Sequence, residues 1–340
     1  MAENKRTNVE LDRSALNRKF DAKRFFFQWE WLLVIILVVM LVFNQNASGG
    51  KFFGPQLFMA TSNFMDKAFL VLSMAFVIVI GQIDISVSST VALTSVLMAL
   101  MYNAGMPMPA AMLMCLVIGT ICGLVNGVLI SRFKELPAMI ITLSTMTIYR
   151  GIAYILLEDQ ASGGFPDWFQ YLGWGMVGVV PFSLIMFVIV AVVFGFVLHK
   201  TSFGRQLYAM GNSETVSYFS GIKVSRNTII VFMLNGLMAG ACALFLTSRM
   251  ASTRPNIAQG YELEAIAMVV LGGFPAAGGK GNMVGAVLAI FIVGFLRYGL
   301  GLYNVSTPIT TIIFGLLLIG AVLASNFLVN RRPGQAKRTA

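Results

Sequence analysis

Long apolar runs recur along most of this chain, and they constrain its fold more than any other feature. A helix needs about 20 apolar residues to cross the hydrocarbon core of a bilayer. Only 11% of the 340 residues are charged, whereas soluble domains contain about 25%. The pattern predicts an all-α, polytopic bundle of membrane helices. Runs of suitable length cover 25–43, 57–80, 87–103, 109–131, 137–157, 179–199, 227–248, 283–301 and 307–327.

One further segment, 261–281, has a short apolar stretch that ends in a glycine-rich run. Cytoplasmic loops of membrane proteins are enriched in Lys and Arg. With ten crossings and both termini inside, 18 of the 24 basic residues fall on the cytoplasmic side. Nine crossings would export the basic C-terminal tail. The charges therefore predict about ten transmembrane helices, a transmembrane domain over 25–327, and cytoplasmic tails at 1–24 and 328–340.

The residue types that metal or redox chemistry needs are scarce. Cys115, Cys122 and Cys242 all lie inside apolar runs, so they indicate neither a disulfide framework nor a zinc site. His199 is the only histidine, which leaves little for a His-based metal centre or a Ser-His-Asp triad. The net charge of +10 is divided among short segments between apolar runs. The sequence therefore predicts no metal site, no catalytic constellation and no nucleic-acid partner.

Residues 274–280 contain part of a phosphate-loop pattern, which is Gly, four residues, Gly-Lys and then Ser or Thr. Phe274 stands where the first glycine is needed for a tight turn. Gly281 stands where the magnesium-binding hydroxyl is needed. The chain is therefore not expected to bind ATP by this route, and an ATP-driven process would need a separate chain.

Two segments break the helical pattern inside the apolar part of the chain. One is the glycine-rich run at 272–281, and the other is 81–86, around Asp84. Non-helical backbone at membrane depth is tolerated only inside protein or along a wet cavity, so both segments are candidates for a translocation path. Two simpler interpretations stay open: a re-entrant loop with structural glycines, and an Asp84 that caps the helix beginning near Ser86.

The longest polar insertion, 200–226, is cytoplasmic by the charge rule. Ser213 is placed to cap a short helix, with Glu214 in its first turn and Gly221 at its end. A helix that faced only water would not carry three apolar residues, so we predict a docking surface for a partner protein. A helix resting on lipid headgroups is the alternative. The three apolar residues are Val216, Tyr218 and Phe219.

Several motifs, in order along the chain, carry a resemblance to a known family. They are Gly81-Gln82-Ile83-Asp84-Ile85-Ser86; Asn126-Gly127 with Pro137 and Ile141-Thr142-Leu143; Tyr149-Arg150-Gly151; Phe203-Gly204-Arg205 with Ser220-Gly221-Ile222-Lys223-Val224; and Gln259-Gly260-Tyr261-Glu262-Leu263-Glu264 with Gly278-Gly279-Lys280-Gly281. Together they resemble the ribose/xylose-type ABC-transporter permeases from about residue 30 to residue 325. The layout, including residues 105–109, also looks like the autoinducer-2 branch. Two departures are Gln82, where the family has a glycine, and residues 215–217, where the coupling loop more often reads Glu-Ala-Ala.

This resemblance implies the membrane-spanning subunit of a carbohydrate importer in the cell inner membrane, in contact with membrane lipid and not an enzyme. Cytoplasmic ABC ATPase subunits would bind the ATP, so no cofactor is expected on this chain. A periplasmic or extracytoplasmic solute-binding protein would deliver the solute, and a second permease chain would complete the path. The residues expected to couple to the ATPase are Phe203, Gly204, Arg205, Glu214, Tyr218, Phe219, Gly221, Ile222 and Lys223.

Polar residues and glycines within the spans are the candidates for the translocation path, although such residues also serve as contacts between membrane helices. An ion-coupled secondary transporter is the alternative function. It would need ionisable groups deep in the bundle, whereas acidic residues in the spans are sparse. We interpret Asp66 and Lys67 as neutralising each other near the outer end of their span. Arg249 and Arg254, with acidic residues of the outer face, are candidate contacts for the binding protein, and a solvated loop is the alternative. The path candidates are Asn63, Gln82, Asp84, Ser86, Asn126, Thr142, Ser144, Asn235, Gly272, Gly273, Gly278 and Gly279.

Overall fold

The computed structural model describes residues 29–306, 308–316 and 319–320. Among these residues, helices dominate, and residues 308–316 are also helical. The tails predicted at 1–24 and 328–340 lie outside the described residues. The helices are α1 (Trp29–Ala47), α2 (Pro55–Thr61), α3 (Met65–Val79), α4 (Val87–Asn103), α5 (Met108–Arg132), α6 (Ala138–Leu157), α7 (Tyr171–Trp174), α8 (Phe182–Lys200), α9 (Ser202–Asn212), α10 (Glu214–Phe219), α11 (Val224–Met250), α12 (Tyr261–Leu271) and α13 (Met283–Leu302).

Six described helices, α1, α5, α6, α8, α11 and α13, are long and apolar enough to cross a membrane. Helices α2 and α3 pass the same test only as a pair bent by 57°. The prediction of one continuous run at 57–80 is therefore wrong in detail, because residues 62–64 break it. Helix α4 is apolar but shorter. The predicted short helix is confirmed, since α12 ends at Leu271 and α13 begins at Met283. The glycine-rich piece between them is non-helical, but it turns at 272–273 and 276–277 instead of being extended.

The connections between helices collect at two ends of the bundle. At one end, strand β1 (Ser162–Gly163) pairs antiparallel with β4 (Ser252–Thr253), and Asn103 at the end of α4 donates a hydrogen bond to Ser162 over 2.9 Å. A second hairpin, β2 (Met176–Val177) with β3 (Val180–Pro181), leads into α8. We call this the sheet end.

The opposite end holds α9, α10 and two loops. Lys134, in the loop between α5 and α6, lies 3.7 Å from Glu214 of α10. Tyr208 of α9 donates to the carbonyl oxygen of Gly281 over 2.8 Å. The backbone N–H of Met283, at the start of α13, donates to Nε2 of His199 over 3.1 Å. We call this the α10 end, and it brings the loop 133–137, the insertion 201–223 and the segment 272–282 together.

Helix α11 is the centre of the fold, packed against α3, α4 and α5. Its contact with α3 includes stacked Phe69 and Phe245 rings, with centroids 4.7 Å apart. Its contact with α5 is a seam of glycines, where a Cβ placed on Gly236 would overlap the carbonyl oxygen of Gly119. Backbone-to-backbone approach of this kind is typical of membrane helix pairs, because small residues let dispersion contacts form over a long stretch.

Candidate translocation site and coupling surface

The two non-helical segments predicted from the sequence meet each other at the α10 end. The backbone N–H of Gly279 donates to the carbonyl oxygen of Val79 over 2.8 Å. A Cβ on Gly278 would overlap the backbone of Gly81, and one on Gly211 of α9 would overlap the carbonyl oxygen of Val79. Gly81 and Gly278 also have φ of +74° and +80°, values that residues with a Cβ rarely adopt. Glycine at these positions lets three backbones share one junction.

A buried polar cluster lies next to this junction, around Asp84, whose side chain is fully enclosed. Its Oδ1 accepts from the backbone N–H and the hydroxyl of Ser86, over 2.9 and 2.6 Å. Its Oδ2 accepts from Nδ2 of Asn235 in α11 over 2.9 Å. Asn126 of α5 donates to the hydroxyl of Ser86 over 2.7 Å. Asp84 therefore both orders the start of α4, which begins after Ser86, and joins that link to α11.

The sequence did not single out two further members of this cluster as path candidates. Ser73 of α3 donates to Oδ1 of Asn235 over 2.7 Å. Tyr149 of α6 donates to the carbonyl oxygen of Cys122 over 3.1 Å, with Oδ1 of Asn126 at 3.5 Å. A polar side chain within an apolar run was the only signal available for Ser73. The polar groups of the cluster therefore hydrogen-bond mainly to one another. In this conformation they join α3, α5, α6 and α11 to the link 80–86.

Thr142 borders the cluster, whereas several other path candidates lie apart from it. Thr142 Oγ1 accepts from the backbone N–H of Ile85 over 3.3 Å. Asn63 is exposed in the break between α2 and α3. Ser144 is exposed on α6 and donates to the carbonyl oxygen of its own helix at Ile140 over 2.9 Å.

The glycines predicted for the path have three different surroundings. Gly272 is packed against the backbone at Ala286 of α13, and Gly273 against the ring of Trp29 in α1. Gly279 lies at the junction, where Asn212 of α9 donates to its carbonyl oxygen over 3.3 Å. The predicted set is therefore not one continuous lining: part of it holds helices together and part forms the junction.

The short helix α10 has the form that the sequence predicts. The side chain of Ser213 accepts from the backbone N–H of Val216 over 3.3 Å, and Gly221 follows the helix with φ of +84°. Tyr218 is 64% exposed and Phe219 is 82% exposed. An aromatic side chain gains free energy when it leaves water, so these rings form an apolar surface available to a partner or to lipid.

The other residues predicted for coupling support α10 or surround it. Gly204 is buried, and a Cβ there would overlap the carbonyl oxygen of Leu198. Phe203 and Ile222 are partly buried against the core. Arg205 and Lys223 are exposed. We define the coupling surface as the exposed residues Arg205, Glu214, Val216, Tyr218, Phe219 and Lys223.

A charge network toward the sheet end corrects two sequence-based interpretations. Asp66 and Lys67 do not pair with each other: Asp66 accepts from Arg249 over 3.1 Å, and Lys67 donates to Glu264 over 2.6 Å. Arg297 also contacts Glu264, over 2.5 Å. Arg249 is therefore engaged within the chain, in a pair whose carboxylate is 1% exposed. Its assignment to the surface that meets a binding protein is wrong.

Comparison with known proteins shows to which family this chain belongs. Residues 56–322 match the family model described as branched-chain amino acid transport system / permease component. The chain belongs to this permease family. The autoinducer 2 import system permease protein LsrD of Escherichia coli (strain K12) is 33% identical over 312 residues, which are 89% of this chain and 94% of that protein. The ribose import permease protein RbsC of Haemophilus influenzae is 32% identical over 324 residues, or 92% and 97% of the two chains. No solved structure matches.

The permease is thus a multi-pass protein of the cell inner membrane, and it is a transport subunit rather than an enzyme. The matched region extends from α2 to beyond α13 and includes the junction, the polar cluster and the coupling surface. These features therefore lie within the part of the chain that the permease shares with its relatives.

The Asp66–Arg249 pair gives a stability prediction for the permease. Arg249→Met is expected to lower the free energy of unfolding by about 3–5 kcal/mol, because it leaves a buried carboxylate without its cation. The double variant Asp66→Asn with Arg249→Met should recover much of that loss, since no unpaired charge remains. Thermal melting of the purified protein measures both. Arg254→Met, at an exposed arginine of the same end, is the control, and an Arg249→Met melting point equal to that of the control would contradict the prediction.

Proposed function

We propose that the permease translocates a sugar or sugar-like solute across the inner membrane, driven by ATP hydrolysis on separate ATPase subunits. The relatives named for import of ribose and autoinducer 2 support the solute class. The observation that carries the proposal is the coupling surface: a capped, six-residue helix that exposes two aromatic rings at one end of a membrane bundle. A solute-binding protein at the sheet end and a second permease chain would complete the transporter.

We further propose ten crossings with both termini in the cytoplasm. The crossings are the six long helices, the bent pair α2–α3, the helix α4, α12 with its extension 272–282, and a final crossing over 307–327. The described ones then run between the sheet end and the α10 end in alternation, and much of 307–327 lies outside the described residues. Basic residues favour the α10 end as the cytoplasmic side. They are Arg132, Lys134, Lys200, Arg205, Lys223 and Arg226.

A mechanical route from the coupling surface to the path follows from the contacts of α9. That helix joins α10 to the junction, where Gly211 packs against Val79 and Asn212 bonds to Gly279. Burial raises the pKa of Tyr208 in α9 to about 12, and its protonated hydroxyl donates to the carbonyl oxygen of Gly281. We propose that ATP-driven movement of α10 displaces the link 80–86 and opens the polar cluster around Asp84 to the solute.

Identifying the energy source of uptake is a direct test of this proposal. The permease is co-expressed with an ABC ATPase and a solute-binding protein from the same organism, and uptake of labelled ribose and other small sugars is measured in cells and in proteoliposomes. Uptake is expected to require ATP and an intact ATPase Walker lysine, and to persist in proteoliposomes when an uncoupler removes the ion gradient. Uptake by the permease alone that collapses with the uncoupler would instead establish an ion-coupled secondary transporter.

A further inference from the structure

A cavity of about 410 Å³ opens at the α10 end of the permease. It lies between the link 80–83, the loop that joins α5 to α6, the first residue of α10 and the first turns of α11. Its volume falls within the range of about 300–1,000 Å³ that is typical of small-molecule sites. The cavity therefore has room for one small solute, at the end of the bundle that we propose to be cytoplasmic.

The cavity wall carries a few neutral polar groups among apolar side chains, and its two charged residues are Lys134 and Glu214. Gln82 contributes a side-chain amide, and Ser131, Ser225 and Thr228 contribute hydroxyl-bearing side chains. The Oε1 atom of Gln82 is buried and has no hydrogen-bond partner among the described residues. A buried amide oxygen without a donor costs free energy, and rotation of the Gln82 side chain into the cavity would let the hydroxyl of a solute supply that donor. None of the other path candidates has a buried side-chain acceptor that lacks a hydrogen-bond partner among the described residues.

The rim of the cavity is shared with the coupling surface through Glu214. Lys134 and Glu214 both line it, and their side chains are 59% and 56% exposed at 3.7 Å separation. The ammonium of Lys134 also lies 6.0 Å from the ring centroid of Tyr218. An exposed ion pair of this kind is worth less than about 1 kcal/mol, so it separates easily. Movement of α10 would therefore change the width of the cavity mouth.

We propose that this cavity is an inner release chamber that holds a small neutral polyhydroxy solute against the Gln82 amide, with the Lys134–Glu214 pair as its movable rim. The inference rests on the proposed function and adds to it a site, a contact residue and an order of events. Because the wall offers one amide and a few hydroxyl groups, the chamber binds weakly. Weak binding lets the solute leave once the rim opens.

Protection from thiol labelling tests the chamber without the ATPase. Ser131→Cys and Ser225→Cys, both in the chamber wall and neither fully buried, are each placed in the full-length permease in nanodiscs and labelled with a membrane-impermeant maleimide. D-ribose at about twice its dissociation constant is expected to slow labelling about threefold, because only the empty fraction reacts. Ser202→Cys, exposed at the start of α9 outside the chamber, is the control and should label at an unchanged rate. Glycine betaine, which has no hydroxyl groups, should protect neither cavity position.

A filling variant gives the second measurement. Ala138→Trp places an indole at the start of α6, in the chamber wall, and should reduce ATP-driven ribose uptake at least about tenfold with an unchanged amount in the membrane. Val188→Trp, on the exposed face of α8, should transport normally. Normal uptake by Ala138→Trp, or equal protection by ribose and betaine, overturns the chamber but leaves the proposed function intact. Wild-type permease without ATP-driven uptake overturns the proposed function, whereas ribose protection would still support the chamber.

Discussion

Phe219→Asp is expected to abolish ATP-driven uptake, while the permease still inserts in the membrane. The ring is 82% exposed at the tip of the coupling surface, so the substitution disturbs little within the chain. In a partner groove, the variant loses about 1.5–3 kcal/mol of apolar burial and adds the cost of desolvating a carboxylate. We expect association with the ATPase to weaken at least about 100-fold, which corresponds to 2.8 kcal/mol or more.

Co-purification with the ATPase and ribose uptake measure the effect of Phe219→Asp together. Tyr171→Asp is a matched control for co-purification, because Tyr171 is an aromatic residue 47% exposed at the sheet end. It should retain the ATPase. If Phe219→Asp also retains the ATPase and full uptake, α10 is not the docking surface, and a helix resting on lipid headgroups becomes the better interpretation. Labelling of a Phe219→Cys variant from outside intact cells would likewise contradict the proposed orientation.

Local signals in the sequence were sufficient to predict α10 and the two non-helical segments. Ser213 and Gly221 mark the ends of the helix by capping and by positive φ, and both effects depend only on neighbouring residues. The segments 81–86 and 272–281 were visible because polar residues and glycines interrupt apolar runs. Their meeting at Gly211 was not predictable in this way, since it brings together residues far apart in the chain, and a close backbone contact has no local signature.

The ion pairs also could not be predicted from neighbouring residues alone. Adjacent acidic and basic residues in the sequence suggested that Asp66 and Lys67 neutralise each other. Successive residues of a helix do not face each other, however, whereas residues three or four apart do. Their actual partners, Arg249 and Glu264, come from α11 and α12. Only the packing of those helices around α3 determines which charges pair, so composition predicts that partners are needed but not which ones they are.

The glycine seam between α5 and α11 is the feature that sequence reasoning missed although its signal was present. Gly119, Gly123 and Gly127 are spaced by four residues, as are Gly236 and Gly240, and spacing of this kind is typical of close membrane helix pairs. A Cβ on Gly123 would overlap the carbonyl oxygen of Phe232. Because the obstacle on each side is backbone, a neighbouring side chain cannot relieve it by changing rotamer.

Gly236→Ala is therefore expected to destabilise the permease by about 3 kcal/mol, at the upper end of the usual cost of overpacking, and Gly236→Leu should prevent recovery of folded protein. Gly301→Ala is the matched control, because Gly301 is also helical but a Cβ there meets nothing within 4 Å. The free energy of unfolding of that control should be unchanged or higher by about 0.5–1 kcal/mol, since alanine has a higher helix propensity than glycine. Thermal melting of the detergent-purified proteins compares the two. If both alanine variants melt alike, α5 and α11 can separate without loss, and the seam does not hold the centre of the bundle.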